Sequence, residues 1–277
     1  MLQYQYPYDC LKGAMIMFYS NTKIATFLSR PNRFLAHVLL ERKEVVCHVK
    51  NTGRLRELLV PGAPVIVQFH PDAAETGRKT EYSLIGVAKP VREDAQRCGN
   101  FVPAERLADA GVVPENGTNY TWVNIDSQAP NQAAYRWLTT GDGLPFCPRP
   151  QKVRREVKYG QSRFDLAFED CGKPWLMEVK GVTLDVDGTA MFPDAPTERG
   201  IKHLEELADA AENGFGAAVL FVVQMKGITA FAPNAERHAA FAETLASVKK
   251  RGVYVWVYDC VVTEDSMRID SPVKVYL

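Results

Sequence analysis

Three residues in one stretch of this 277-residue chain have the types and spacing for metal-assisted chemistry on a phosphate ester. Ser162 to Lys180 reads SRFDLAFEDCGKPWLMEVK, two short apolar runs around Asp170-Cys-Gly-Lys-Pro174, which is hairpin punctuation. Side chains alternate along a strand, so Phe164, Leu166 and Phe168 are expected on one face and Arg163, Asp165 and Ala167 on the other. Glu178 and Lys180, two apart, share a face. If the charged faces coincide, Asp165 and Glu178 meet across the hairpin with Lys180 beside them. Two such carboxylates raise each other's pKa unless a cation sits between them. An oxygen-only pair suits a hard ion, Mg²⁺ or Mn²⁺, which keeps water and phosphate oxygens in its remaining positions. The ion would polarise a phosphodiester and acidify an attacking water, and Lys180 would orient that water or neutralise phosphate charge. The competing account is a solvated strand face that happens to carry charges.

The elements that must position these residues follow from the surrounding pattern. Upstream, Asn131 is placed to cap a short helix with Ala134, Trp137 and Leu138 inward. Arg149 to Lys158 has six charged residues, five of them basic. It is either a solvated linker or a strip for a phosphate backbone. Glu156 within it is a candidate third acid. Downstream, Thr197 is the expected cap of a helix from Glu198 to about Glu212, with Ile201, Leu204, Leu207, Ala208 and Ala211 inward and Asn213-Gly214 at its end. Lys202 and His203 in its first turns are within reach of a phosphate, although a lone His there is more often structural. Ala217–Val223 reads as a strand covered on both faces. A helix over Ala235–Arg251, a strand over Val253–Val262 and an edge strand over Met267–Leu277 complete an α/β sheet with helices on its faces. Gln224 ends the central strand, where such sheets place ligands.

The first ninety residues predict an all-β part instead. Ala14–Tyr19, Phe34–Leu40, Val45–Val49, Val65–Phe69 and Tyr82–Val87 are the candidate strands, with a short helix over Gly53–Leu59 between the third and fourth. That is the order of an OB-like barrel, whose faces and loops bind oligonucleotides. The expected organisation is therefore a barrel over 1–90, a connecting segment over 91–130 and the α/β part over 131–277.

Composition narrows the partners. Formal net charge is zero, so any nucleic-acid binding must come from local segregation. Residues 1–90 carry 12 Lys plus Arg against 7 Asp plus Glu, and residues 131–277 carry 18 against 20. The candidate contacts are Arg30, Arg33, Asn51 and Arg54 in the barrel turns, with Arg163, Arg199 and Lys202 in the second half. The six cysteines are scattered, none at zinc-site spacing. With no membrane segment and no signal peptide, they are expected to be reduced thiols of a cytoplasmic protein.

The Asp165, Glu178 and Lys180 spacing resembles the PD-(D/E)XK nuclease superfamily. Seven segments in order extend the resemblance: Arg33-Phe-Leu-Ala-His-Val38, Asn51-Thr-Gly53, Arg155-Glu-Val-Lys-Tyr-Gly160, Ser162-Arg-Phe-Asp165, Glu178-Val-Lys-Gly-Val-Thr183, Phe192-Pro-Asp-Ala-Pro-Thr-Glu-Arg-Gly-Ile-Lys-His-Leu204 and Phe221-Val-Val-Gln224. Together they resemble the sugar fermentation stimulation protein A family, from about Gly13 to Val262. The resemblance implies an OB-like domain followed by a nuclease-like mixed sheet. It implies DNA as partner, with Asp165 and Glu178 as metal carboxylates, Lys180 as the lysine and Glu156 as the acid before the hairpin. It leaves two functions open. One is a metal-dependent nuclease, and the other is a non-catalytic DNA-binding regulator of sugar (maltose) metabolism. His48-Val-Lys-Asn and Arg30-Pro-Asn-Arg depart from the family's usual His-Cys-Pro-Asn and Arg-Tyr-Lys-Arg.

Overall fold

The computed structural model describes residues 16–51, 53–91, 102, 104–112, 119–140 and 150–277. The first strand, β1 (Met17–Phe18), is followed by β2 (Thr22–Ser29), β3 (Leu35–Leu40), β4 (Lys43–Val49), β5 (Pro64–Phe69) and β6 (Tyr82–Pro90). Strands β2 to β6 run in the order β4-β3-β2-β5-β6, and a parallel pairing of Cys47–Val49 with Tyr82–Leu84 closes the ring. The result is a five-stranded OB-like barrel. Alternation along its strands sends Phe27, Val38, Val65, Val67 and Leu84 inward, each almost wholly buried. Each such side chain contributes ~1.5–3 kcal/mol of burial free energy.

Two barrel expectations need correcting. Of the strand expected over Ala14–Tyr19, Ala14 and Met15 lie outside the described residues, and within the rest Met17–Phe18 is a strand that pairs with Met267 and Ser266, outside the barrel. The barrel's first strand is Thr22–Ser29, outside the strands expected from the sequence. The helix expected over Gly53–Leu59 is a series of turns, with Leu55 at φ 49°. Its carbonyls are claimed by a distant partner: Arg30 donates to the carbonyls of Gly53 and Arg54, both at 2.8 Å. Leu55, Leu58 and Leu59 are still buried as the helix would have buried them.

Next come α1 (Ala104–Asp109), β7 (Tyr120–Asn124), α2 (Ala129–Thr140), β8 (Gln151–Tyr159), β9 (Ser162–Asp170) and β10 (Lys173–Val182). They are followed by β11 (Asp185–Val186), β12 (Thr189–Phe192), α3 (Glu198–Glu212), β13 (Gly216–Val223), β14 (Ala230–Pro233), α4 (Ala235–Lys250), β15 (Tyr254–Val262), β16 (Ser266–Pro272) and β17 (Lys274–Val275). The main sheet has the mixed order β1-β16-β15-β13-β10-β9-β8. Its centre, β10-β13-β15, is parallel, and β13 is buried throughout, as a strand covered on both faces must be. Leu204 and Leu207 of α3 cover one face with Leu176, Val219 and Phe221. Ala133, Ala134 and Leu138 of α2 cover the other with Leu166, Met177 and Leu220. A small sheet, β11-β12-β14-β17, flanks this core. The strand expected at the chain's end is not at the sheet edge, because β1 pairs beyond β16.

Strand β7, inside the expected connecting segment, adds to the barrel by pairing with β6. Where it leaves the barrel, the Gln224 side-chain amide donates to the carbonyls of Asn124 (2.9 Å) and Asp126 (3.3 Å), and the Asn124 N–H returns to the Gln224 carbonyl. Gly181 makes room for this junction. A Cβ there would stand 2.5 Å from Gln224 Oε1 and 2.7 Å from Pro130 Cγ. Among the described residues no helix is long and apolar enough to cross a membrane. Cys47, Cys171 and Cys260 are free thiols, while Cys10, Cys98 and Cys147 lie outside the described residues.

Candidate active site

The hairpin turns through Cys171 and Gly172, both at positive φ (47° and 83°), which sets the two-residue turn that matches strand twist. From there β9 and β10 pair in regular register as far as Leu166 opposite Met177. One step further Asp165 interrupts the ladder, and its Oδ2 accepts the Val179 N–H at 2.8 Å. The strand changes face at this point. Leu166 and Phe168 pack on the α2 side, whereas Phe164 packs on the α3 side against His203. Phe164, Leu166 and Phe168 therefore do not share one face, because Asp165 spends its carboxylate on the neighbouring strand.

Asp165 Oδ1 accepts from Asn131 Nδ2 at 2.7 Å. Asn131 lies in the first turn of α2, so it is not the helix cap. Asp126 stands ahead of that helix and accepts the Gln128 N–H. Burial, and then the Glu178 charge, push the Asp165 pKa up to about 6.

Glu178 is 3% exposed. Its Oε1 receives Lys180 Nζ at 2.5 Å and His203 Nδ1 at 2.6 Å. Its Oε2 is buried and has no donor. Burial pushes this carboxyl upward, but the His203 hydrogen bond and the Lys180 charge outweigh it, leaving the pKa below the usual carboxylate range. The two acids are thus held apart in strength by their different donors. His203 projects from α3, which starts where Thr197 Oγ1 accepts the Gly200 N–H at 3.0 Å. Both His203 and Asn131 sit on helix faces turned to the sheet. For His203 the signal was legible, since it shares the buried face of Gly200, Leu204 and Leu207.

The donor set fits a hard divalent ion. Two carboxylates offer oxygen only, one oxygen is buried without a partner, and neither acid is locked in a strong ion pair on both oxygens. No cluster of three or more His, Cys, Asp or Glu able to hold a metal occurs among the described residues, and a pair of carboxylates would suit an ion that completes its shell with water and phosphate oxygens.

The other predicted residues fall into three groups. Glu156 is opposite Asp165 in the ladder but has φ 53°, so its exposed carboxylate turns out to pair with Arg163 at 3.3 Å. It does not complete the acid cluster, and Arg163 is engaged by it. Arg30 is not a free cation. Its four terminal N–H groups go to the carbonyls of Arg33, Asn51, Gly53 and Arg54, all at 2.8 Å. Asn51 is likewise committed, donating to the Ile125 carbonyl (2.9 Å) and accepting the Gly53 N–H (2.7 Å). Arg33 and Arg54 are exposed, and Arg33 lies over the Phe34 ring. Lys202 pairs loosely with Glu206 at 3.8 Å, and Arg199 donates to His203 Nε2 at 3.3 Å.

A five-stranded OB-like barrel followed by a mixed sheet with helices, which brings Asp165, Glu178 and Lys180 together, defines the class of architecture. The SfsA N-terminal OB domain pattern matches residues 28–94, and that of the sugar fermentation stimulation protein RE domain matches residues 128–266. The chain belongs to the sugar fermentation stimulation protein family. The Desulfitobacterium hafniense (strain DSM 10664 / DCB-2) sugar fermentation stimulation protein homolog is 43% identical over 261 residues, 94% of this chain and 99% of the relative. The Clostridium beijerinckii homolog is 41% identical over 261 residues, 94% and 100% of the two chains. The solved structure of Pyrococcus furiosus SfsA in complex with Ca²⁺ superposes with a TM-score of 0.73 at 24% identity, covering 95% of this chain and all of that one.

Proposed function

We propose that the chain binds nucleic acid, DNA in the first place, and hydrolyses its phosphodiester bonds with Mg²⁺ or Mn²⁺ held by Asp165 and Glu178. One observation carries this reading. Glu178 keeps Oε2 buried and donor-free beside a second acid, while two donors fix its other oxygen. A buried acceptor without a partner costs about 1–3 kcal/mol, more when charged, and a cation relieves that cost. The Pyrococcus furiosus relative is in complex with Ca²⁺, another hard ion that takes oxygen ligands.

When bound, the ion polarises the phosphodiester and lowers the pKa of an attacking water. Asn131 and the Val179 N–H hold Asp165 in place, and His203 does the same for Glu178. Lys180, with its side chain 18% exposed, is placed to orient that water or to neutralise phosphate charge. Arg33, Arg54 and the exposed bases of β8 (Lys152, Arg154, Arg155, Lys158) supply cations for the backbone. A DNA substrate and free thiols fit a cytoplasmic protein.

A non-catalytic, DNA-binding regulator of sugar (maltose) metabolism is the second reading. It is favoured by the Lys180–Glu178 contact, which neutralises one acid without any ion. Purified protein with Mg²⁺ or Mn²⁺ on single- and double-stranded DNA and RNA separates the two. Under the nuclease reading, Lys180→Ala lowers single-turnover cleavage on the order of a hundredfold while binding changes little. Cleavage at the wild-type rate in both Lys180→Ala and Glu178→Gln would locate the activity elsewhere. Binding without cleavage under either ion selects the regulator.

A further inference from the structure

We propose that His203 is a positioning residue of this site: its imidazole, keyed by Arg199, holds Glu178 in the orientation that leaves Oε2 for the divalent ion. The inference rests on the metal-site reading above and deepens it.

His203 lies on the buried face of α3 and is 5% exposed. Three groups face its ring: Glu178 from β10, Phe164 edge-on from β9 at 6.0 Å between centroids, and Arg199 from the preceding turn of its own helix. A guanidinium can only donate, so the Arg199 Nε contact makes His203 Nε2 the acceptor. The proton is thereby assigned to Nδ1, the atom 2.6 Å from Glu178 Oε1. The hydrogen bond thus has one direction, from helix to carboxylate.

The second donor to Oε1, Lys180, approaches on a flexible stem and is partly exposed. It has work to do toward a phosphate under the proposed function, and it cannot anchor the carboxylate while doing so. The imidazole is rigid, buried and free of that conflict. With the imidazole fixed on the helix side, both donors converge on one carboxylate oxygen and the other points away from them. Oε2 stays donor-free, as observed. A side chain that merely filled space between α3 and the sheet would need neither ring nitrogen engaged.

The test uses the full chain and Mn²⁺ alone, with calorimetry as the readout. His203→Leu fills the space without a donor, and His203→Asn returns a side-chain N–H near the place of Nδ1. Partners that orient ligands change metal affinity by about tenfold or more. Mn²⁺ affinity is therefore expected to fall about tenfold or more in His203→Leu and to stay within about threefold of wild type in His203→Asn. ¹⁵N NMR should show His203 protonated on Nδ1 and not on Nε2, with that preference lost in Arg199→Ala. If His203→Leu does not fold, the Asn variant and the NMR signature still decide. A folded His203→Leu with wild-type affinity, while Glu178→Gln loses Mn²⁺, overturns the positioning role and leaves the metal site standing. Equal weakening in Leu and Asn, or a proton on Nε2, overturns it as well. A wild-type chain that takes up no Mn²⁺ removes the metal reading and this inference with it.

Discussion

Arg30 in the barrel and Glu178 in the main sheet are both charges that the fold draws out of water, and they are completed differently. Arg30 gives all four terminal N–H groups to backbone carbonyls, and only its Nε is without a partner. Glu178 has one oxygen with two donors and one with none. Both residues come from stretches that read as functional in the sequence. The bonds they make separate them. A charge with four of its five N–H groups given to its own chain holds a loop, and a charge with one of its two oxygens empty has half its capacity left for a ligand. The same contrast divides the barrel's basic residues, since Arg33 and Arg54 are exposed where Arg30 is committed.

The largest effect expected from breaking this contrast is at Arg30. Arg30→Ala strands four carbonyls of the 51–54 loop and its surroundings, each bond being charge-assisted. Taken without full additivity, the loss should be about 3–4 kcal/mol of stability, read as a lower urea midpoint. The salt dependence of DNA binding, measured on the folded variant, should keep its slope. A fall of about one in that slope with stability unchanged would make Arg30 a phosphate contact after all.

How far the sequence reveals this architecture depends on the range over which each feature is decided. The cap at Thr197, the end of α3 at Asn213 and the turn at Cys171-Gly172 are local, and the residues alone place them. Glu178 and Lys180 share a face because the strand period is two, so their neighbourhood is legible too. Asp165 follows a different rule, because it leaves the ladder to bind Val179 and carries Phe164 to the other face. Glu156 fails for a related reason: a single residue at positive φ reverses where a side chain points. The Gly53–Leu59 helix is lost to a guanidinium more than twenty positions away. The placing of β1 depends on Ser266 and Met267, about 250 residues on. No local pattern carries either fact. Strand β2 is different, since its buried positions Ile24, Ala25 and Phe27 are apolar residues within the stretch itself.

A smaller effect tests whether the half-filled site carries a stability cost. The Asp165 pKa is raised from 3.8 to about 6, so the folded chain binds this proton more tightly than the unfolded chain does. For an acid with a raised pKa, the penalty is fully present above about pH 6, shrinks as pH falls through that value and vanishes below the unfolded pKa. Asp165→Asn, which keeps one acceptor and removes the charge, should stabilise the metal-free protein near neutral pH by about 1–2 kcal/mol. The gain should disappear near about pH 4, where wild-type Asp165 is itself protonated when folded. Denaturant midpoints at the two pH values check it. A variant less stable than wild type at neutral pH would mean that the bonds from Asn131 and Val179 outweigh the burial of charge.

The smallest effects belong to the exposed arginines, and they sharpen the comparison from the other side. Arg33 and Arg54 lie on the barrel surface, close in sequence to the committed Arg30 and Asn51. Neither side chain anchors the loop, so Arg33→Ala and Arg54→Ala should leave stability within about 0.5 kcal/mol of wild type. Each removes one cation from a surface proposed to follow a phosphate backbone. Neutralising a phosphate releases counterions, so every lost contact should lower the slope of log K against log salt by about 0.9 on duplex DNA and about 0.7 on a single strand. The loss should be nearly the same for different DNA sequences, because phosphate contacts carry no base information. Measured side by side, Arg30→Ala should change stability and leave the slope alone, while Arg33→Ala and Arg54→Ala do the reverse. If neither exposed arginine moves the slope, the backbone does not run over the barrel rim, and the basic face of β8 beside the acids becomes the surface that holds the DNA.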